Sequence, residues 1–285
     1  MVNTDNELKR LRKKMFLTAY PQKTAHLASA FSITEIMYVL YVKGILKCRP
    51  EDPNWIDRDR FILSKGHASL AVYVMLNEIG VLSDVKLSSF CHPGNSIGGE
   101  VNPNDCPGIE AATGSLGHGL GVGVGMALAI KLNHSPAKVY VLVGNGELEE
   151  GVNWESVMAA KKYGLDNLVV ILDDNKIQKM GYTSDIMKID SWSEQWKSFG
   201  WNVDVIENGH DVDEIASVLS RKNQVGMPKV VIANTIKGKG VSIVENNPDW
   251  HFKMPYRREL KLFMEELDIT EEDLENAKIV LNDAI

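Results

Sequence analysis

The order of apolar and polar positions divides the chain into helical and extended segments. Between residues 4 and 20, Leu8, Leu11, Met15 and Leu17 recur at helical spacing among basic residues, which predicts a surface helix. Ser32-Ile33-Thr34-Glu35 reads as a capping box ahead of the apolar run Ile36 to Val42. Arg60 to Leu63 predicts a short strand. The loop Ser64-Lys65-Gly66-His67 follows, then a helix from Ala68 to Glu78 that stops at Gly80. Residues 91–110 hold four Gly and three Pro without a period, so a long loop is expected. Loops of that length inside a compact domain often serve function.

Beyond this loop, strands and helices alternate. Strands are expected at Lys138 to Val143, Asn167 to Leu172, Trp201 to Ile206 and Pro228 to Ala233. Helices are expected at Glu149 to Tyr163, at Ser193 to Phe199, and from an Asp211 cap to about Lys222. Continuously apolar strands separated by helices predict an α/β fold, a parallel sheet covered by helices on both faces. Such sheets bind ligands at the carboxyl ends of their strands. The small-residue run Gly119 to Ile130 is expected to be a buried helix suited to a helix–helix or subunit contact. With no internal repeat or low-complexity linker, residues 1–285 read as one domain with a charged, helical tail from about 256.

Composition narrows the function classes. Thirty-one Lys and Arg against 38 Asp and Glu give a net charge of -7, the opposite of a nucleic-acid binder's basic footprint. Cys48, Cys91 and Cys106 form no C-x-x-C pair, so neither a zinc site nor a disulfide framework is suggested. The longest apolar stretch, Gly119 to Ile130, falls short of the roughly 18–20 residues of a membrane span. The polar, acidic start is unlike a signal peptide, so a cytoplasmic setting is expected.

The strongest chemical signal begins where the 138–143 strand ends, at Gly144-Asn145-Gly146-Glu147-Leu148-Glu149-Glu150-Gly151. A helix and a strand later comes Asp173-Asp174-Asn175-Lys176-Ile177, so both segments sit at strand carboxyl ends. The glycines permit close backbone approach to a ligand. Asn145, Asn175 and a nearby carbonyl can supply the oxygen donors that Mg²⁺ takes, with diphosphate oxygens completing the set. A helix start near Glu150 favours an anion at the same place. Asp173 and Asp174 read as solvated strand-end charges, and Glu147, Glu149 and Glu150 as a charged run of the kind that normally faces water. His92, His134 and His210 are assigned structural or exposed roles.

The two segments resemble the thiamine-diphosphate motif, with Asn145 and Asn175 thirty positions apart. Three further segments resemble the transketolase family: Asp57 to His67, Gly108 to Leu120, and Thr235-Ile236-Lys237-Gly238-Lys239-Gly240-Val241 with Glu245 to His251. The resemblance spans nearly the whole chain, keeps the family order, and takes the form seen in split transketolases. It implies that Asn145, Asn175 and the Ile177 carbonyl hold Mg²⁺ (or Ca²⁺ or Mn²⁺) against thiamine diphosphate. It implies cofactor contacts from His67, Gly114, Leu116, Gly144, Gly146, Glu147, Asn175, Ile177, Lys239 and His251, with Gly146 giving the diphosphate a backbone N–H. His26, His67 and His251 would serve catalysis near the thiazolium and substrate hydroxyls. Glu150 would lie at a subunit interface and couple two sites.

The chemistry so implied is transfer of a two-carbon ketol unit from a ketose to an aldose, with sugars or sugar phosphates as substrates and the cofactor as electron sink. No second α/β set follows within the 285 residues. A C-terminal partner subunit carrying the pyrimidine-binding domain and its glutamate is therefore expected, in a two-plus-two heterotetramer. The alternatives are a 1-deoxyxylulose synthase-like or other related component, an enzyme of a modified sugar, or a non-catalytic relative. Two departures matter. Asn145 replaces the motif's usual aspartate, and Glu100, in Gly98-Gly99-Glu100-Val101, aligns with the histidine of a family G-H-P segment. The first predicts weaker Mg²⁺ binding and the second an altered substrate or a reshaped pocket.

Overall fold

A computed structural model describes residues 3–94 and 97–283. Met1 and Val2, Asn95 and Ser96 of the expected long loop, and Ala284 and Ile285 of the expected tail lie outside the described residues. Five strands, β1 (Arg60–Leu63), β2 (Val139–Gly144), β3 (Leu168–Asp174), β4 (Asn202–Ile206) and β5 (Lys229–Asn234), form one sheet in the order β1-β2-β3-β5-β4. Every neighbouring pair is parallel. Twelve α-helices accompany them among the described residues: α1 (Thr4–Ala19), α2 (Leu27–Phe31), α3 (Thr34–Tyr41), α4 (Ser69–Glu78), α5 (Asp84–Ser88), α6 (His118–Leu132), α7 (Gly151–Lys162), α8 (Thr183–Ile186), α9 (Trp192–Ser198), α10 (Val212–Ser220), α11 (Arg258–Glu266) and α12 (Glu271–Asp283).

Side-chain alternation explains why the strands carry no polar face. Phe61, Leu63, Tyr140, Leu142, Val169, Ile171, Val231 and Ala233 join the core under α1–α4, α10 and the C-terminal helices. Ile62, Val139, Val141, Val143, Leu168, Val170, Leu172, Val230 and Ile232 join a second core under α6, α7 and α9. The apolar strand residues therefore lie against one helical layer or the other, which is the α/β arrangement that the continuous apolar runs predict. The expected strands and long helices stand where the pattern puts them, within one or two residues. The short helices α2, α5 and α8 carry too few turns to show a period, and the sequence reading lacks them.

Two local expectations are corrected. Ser32 and Glu35 form no capping box: Ile33 is the N-cap of α3 and makes no side-chain cap. Ser32 Oγ donates instead to Ser29 O and Asp173 Oδ2, both at 3.0 Å. Glu35 is buried against Arg12 and His210, where the Arg12 guanidinium outcompetes a backbone N–H. Helix α6 is only half buried in this chain. Leu120, Val124 and Ala127 face the second core, while Val122 and Leu132 are exposed. Among the described residues, no helix is long and apolar enough to cross a membrane.

Candidate active site

The carboxyl ends of β1, β2, β3 and β5 open into one cavity of about 370 Å³. Its walls include His26, Lys65, His67, Glu100, Gly114, Leu116, Gly144, Asn145, Gly146, Glu147, Asn175, Ile177, Lys237 and His251. The parallel sheet brings these distant segments together because every strand delivers its following loop to the same edge.

Three histidines from three segments share the cavity. Their ring centroids form a triangle of 5.1 Å (His26–His67), 5.3 Å (His26–His251) and 5.6 Å (His67–His251). Burial, and then neighbouring lysines, disfavours a proton on each. His26 is lowered to about 4 and His251 to about 3, and His67 lies well below the ordinary imidazole value. At neutral pH the site therefore holds three uncharged imidazoles. His251 Nδ1 lies 3.0 Å from Lys237 Nζ, so the two side chains share a hydrogen bond inside the cavity.

The amide pair is held from beneath. Asn175 Nδ2 donates to Asp173 Oδ2 at 2.7 Å, which turns Asn175 Oδ1 outward. That oxygen accepts from Ile177 N at 3.1 Å and lies 3.5 Å from Asn145 Nδ2. Asn145 Oδ1 accepts from Gly146 N at 2.8 Å. Among the described residues, no group of three or more His, Cys, Asp and Glu is placed to hold a metal. The available donors are neutral amide and carbonyl oxygens, which suit a hard divalent cation only when an anionic ligand completes its shell.

Asp173, read from sequence as a solvated charge, is 0% exposed. Its carboxylate accepts from Lys65 Nζ at 2.5 Å, from Ser32 and Asn175, and from the Thr235 hydroxyl. Burial opposes its ionisation, yet Lys65 and these donors hold its carboxyl below the usual range. Asp174 is buried as well and pairs with Lys176. A strand end is solvated only when nothing covers it, and here Ser32, Lys65, Asn175 and Thr235 enclose the Asp173 carboxylate.

Glu147 is likewise not part of a solvated run. It is 2% exposed and ties three loops together, through Ser64 Oγ at 2.5 Å, Gly117 N at 2.8 Å and Gly144 N at 3.1 Å. It borders the cavity, but its carboxylate is engaged by these donors. Lys239, expected among the cofactor contacts, does not line the cavity. It faces Glu245 at 3.3 Å and a separate cleft beside Arg12 and His210. Lys237, two residues earlier in the same segment, takes the inward place. Its Nζ lies 3.3 Å from Ile177 O and is lowered to about 7 by burial and by Lys65. The signal for it was present, since one short segment carries both lysines, but spacing does not tell which of the two turns inward. Glu150 is exposed and away from the cavity. Gly114 has φ +136, and a Cβ there would overlap the Glu100 carboxylate, so glycine is required for Glu100 to lie over this wall. Of the histidines assigned structural or exposed roles, His134 is exposed and His210 is engaged by Glu35 and a backbone N–H.

Comparison with known proteins places the chain in a family. Residues 17–269 match the family model described as transketolase, thiamine diphosphate binding domain. The chain is 39% identical to an apulose-4-phosphate transketolase subunit of Actinobacillus succinogenes, over 90% of this chain and 92% of that one. It is 39% identical to the 6-deoxy-6-sulfo-D-fructose transketolase subunit SqwG of Clostridium sp., over 77% and 80%. It is 35% identical to the transketolase of Homo sapiens over 86% of this chain, but only 38% of the human one. A Pichia stipitis transketolase structure with sedoheptulose 7-phosphate superposes with TM-score 0.84 at 26% identity, covering 98% of this chain and 44% of that chain. The Campylobacter jejuni transketolase gives 0.84 at 27%, covering 99% and 47%. The chain thus spans less than half the length of these full-length transketolases.

Proposed function

The chain belongs to the transketolase thiamine-diphosphate-binding family, and from that premise we propose that it is the cofactor-binding subunit of a two-chain transketolase. It moves a two-carbon ketol unit from a ketose to an aldose and works only with a partner that carries the pyrimidine-binding domain. The observation that carries the reading is the single cavity that joins the Asn145–Asn175–Ile177 oxygen set to three neutral histidines. Relatives that the chain matches over most of their length are themselves named as subunits, which supports the partner. So do the exposed apolar side chains Val122 and Leu132 on α6 and Val152 and Met158 on α7.

The residues fit thiamine diphosphate and a divalent cation. Asn145, Asn175 and the Ile177 carbonyl would hold the metal, and Gly146 N–H, Lys237 and His251 the diphosphate. The bound cofactor supplies the electron sink for carbon–carbon cleavage. Lys237, lowered to about 7 by its burial, gains a full positive charge once an anion lies beside it. His251 lines the cavity beside Lys237, and neutral His26, His67 and His251 can each accept or donate one proton there. Keeping all three uncharged lets them exchange hydrogen bonds with sugar hydroxyls and with developing alkoxides. Glu100 adds an acceptor on the same wall. It favours a hydroxyl-bearing group beside it, and the modified-sugar names of two relatives support a modified ketose as donor.

Calorimetric titration of thiamine diphosphate with Mg²⁺, into the chain with and without a co-expressed pyrimidine-domain partner, tests this reading. Cofactor binding, with ketol transfer only in the two-chain sample, is expected. Turnover by the isolated chain would refute the two-chain reading. Absence of cofactor binding in both samples would refute the assignment of the site.

A further inference from the structure

Outside the cavity, a second set of buried groups converges on the segment that carries Lys237. Asp211 caps α10, accepting from Asp213 N and Glu214 N. The turn before it crosses the end of β5, where Gly209 N donates to Asn234 O at 2.7 Å. A Cβ at Gly209 would stand 2.6 Å from that carbonyl oxygen, so only glycine permits the crossing. The crossing brings the His210 ring against the turn that runs from Thr235 to Gly240.

There His210 Nε2 accepts from Ile236 N at 2.7 Å, and Nδ1 lies 3.0 Å from Glu35 Oε2. A backbone N–H can only donate, so Nε2 is the unprotonated nitrogen and Nδ1–H donates to Glu35. Glu35 is held in turn by Arg12 at 2.6 and 2.8 Å, and Arg12 donates to Phe31 O at 3.1 Å. Arg12 is 4% and Glu35 3% exposed, so the relay lies at the floor of its cleft, and the Ile236 N–H specifies one His210 tautomer.

Ile236 stands between the two side chains that this turn sends inward. Thr235 reaches Asp173, and Lys237 reaches His251 and the Ile177 carbonyl. Backbone bonds Gly238 N to Ala28 O and Asn246 N to Lys237 O, each 3.0 Å, hold the far side of the turn. The His210 bond is the side-chain anchor on the near side. Without it, a backbone N–H packed under the turn lacks an acceptor, and the turn must rotate to find one.

We infer that His210 is a positioning residue, which acts through Ile236 N–H to set the 235–240 turn so that Lys237 points into the cavity. The functional half of this inference rests on the proposed reading of the cavity as a diphosphate site. The structural half does not.

Two substitutions separate the roles of the ring nitrogens. His210→Asn keeps an N–H donor near the Nδ1 position for Glu35 but is too short to reach Ile236. His210→Gln reaches Ile236 with an amide oxygen. Both are compared with wild type by hydrogen–deuterium exchange across residues 235–240 and by calorimetric affinity for thiamine diphosphate with Mg²⁺, on the chain with its partner. His210→Asn is expected to speed exchange in this segment and to weaken the cofactor about tenfold, roughly the loss of one hydrogen bond. His210→Gln should recover most of both. On a Lys237→Ala background, His210→Asn should cost less than about threefold, because its effect runs through the missing lysine. Unchanged exchange in His210→Asn, or losses that multiply in the double variant, would overturn the inference. If the wild type binds no thiamine diphosphate, the proposed function fails, and the exchange comparison alone decides whether His210 holds the turn.

Discussion

The ion pair beneath the cavity gives a quantitative test of how this site is held. Lys65 is 2% and Asp173 0% exposed, and Nζ lies 2.5 Å from Oδ2. Lys65→Met keeps the length and apolar bulk of the stem but removes the charge, leaving a buried carboxylate without its cation. Breaking one side of a buried pair costs about 3–5 kcal/mol. Asp173 keeps three neutral donors, from Ser32, Asn175 and Thr235, which places the expectation near the lower end, about 3 kcal/mol. For a chain of 285 residues, that corresponds to roughly 5 °C in Tm. Urea unfolding should show a lower midpoint with an unchanged m-value. The pH dependence adds a signed check. Asp173 has a folded pKa below its unfolded value, so its contribution is present above about pH 4 and is lost as pH falls through the lowered folded value. Removing Lys65 raises that folded value, and acid unfolding should begin at higher pH in Lys65→Met than in wild type. A destabilisation under about 1 kcal/mol, with no shift in acid sensitivity, would refute the view that this pair organises the site.

Three further outcomes are expected. Lys237→Met should weaken thiamine diphosphate by roughly 10–100-fold, the worth of a charge-assisted contact, while Lys239→Met leaves affinity within about twofold, and equal effects would return Lys239 to the site. Asn145→Asp adds a negative charge to a neutral donor set and should tighten Mg²⁺-dependent cofactor binding about tenfold, so an unchanged affinity would discount charge at this position. His26 and His251, with folded values of about 4 and 3 against an ordinary 6.5, bind fewer protons in the folded chain than in the unfolded one. Their contribution is therefore present above about pH 6.5 and lost as pH falls towards those folded values. Urea midpoints of His251→Gln should fall less than those of wild type between about pH 7 and pH 4, and parallel curves would contradict the assignment.

The regular architecture was legible because it depends on local repetition. Apolar runs such as Leu168 to Leu172 are buried on both faces, so their composition announces a covered parallel sheet without knowledge of what covers it. The Asp211 cap was legible for the same reason, since the bond it makes lies within its own turn. At the site, the Asn145 and Asn175 segments and the three histidines stood out through spacing and through their resemblance to known motifs. The parallel sheet then brought all five into one cavity.

Where sequence reading failed, the competing partner came from far along the chain. Ser32 and Glu35 carry the letters of a capping box, yet Asp173, Arg12 and His210 claim them. Asp173 and Glu147 look like surface charges until Ser32, Lys65 and Thr235 enclose the one and Ser64 and Gly117 the other. Lys237 and Lys239 are equivalent in one dimension, and only the turn that His210 and Ala28 anchor decides which of them meets the cavity. By itself, the sequence determined the layers and the strand ends where chemistry would gather, because periodicity and short-range spacing encode these, while the class of that chemistry came from resemblance to known motifs. The tertiary structure alone decided which charges are buried, which tautomers they impose and which lysine serves the site. Those depend on desolvation and on partners far apart along the chain, such as Glu35 and His210 at a separation of 175 residues.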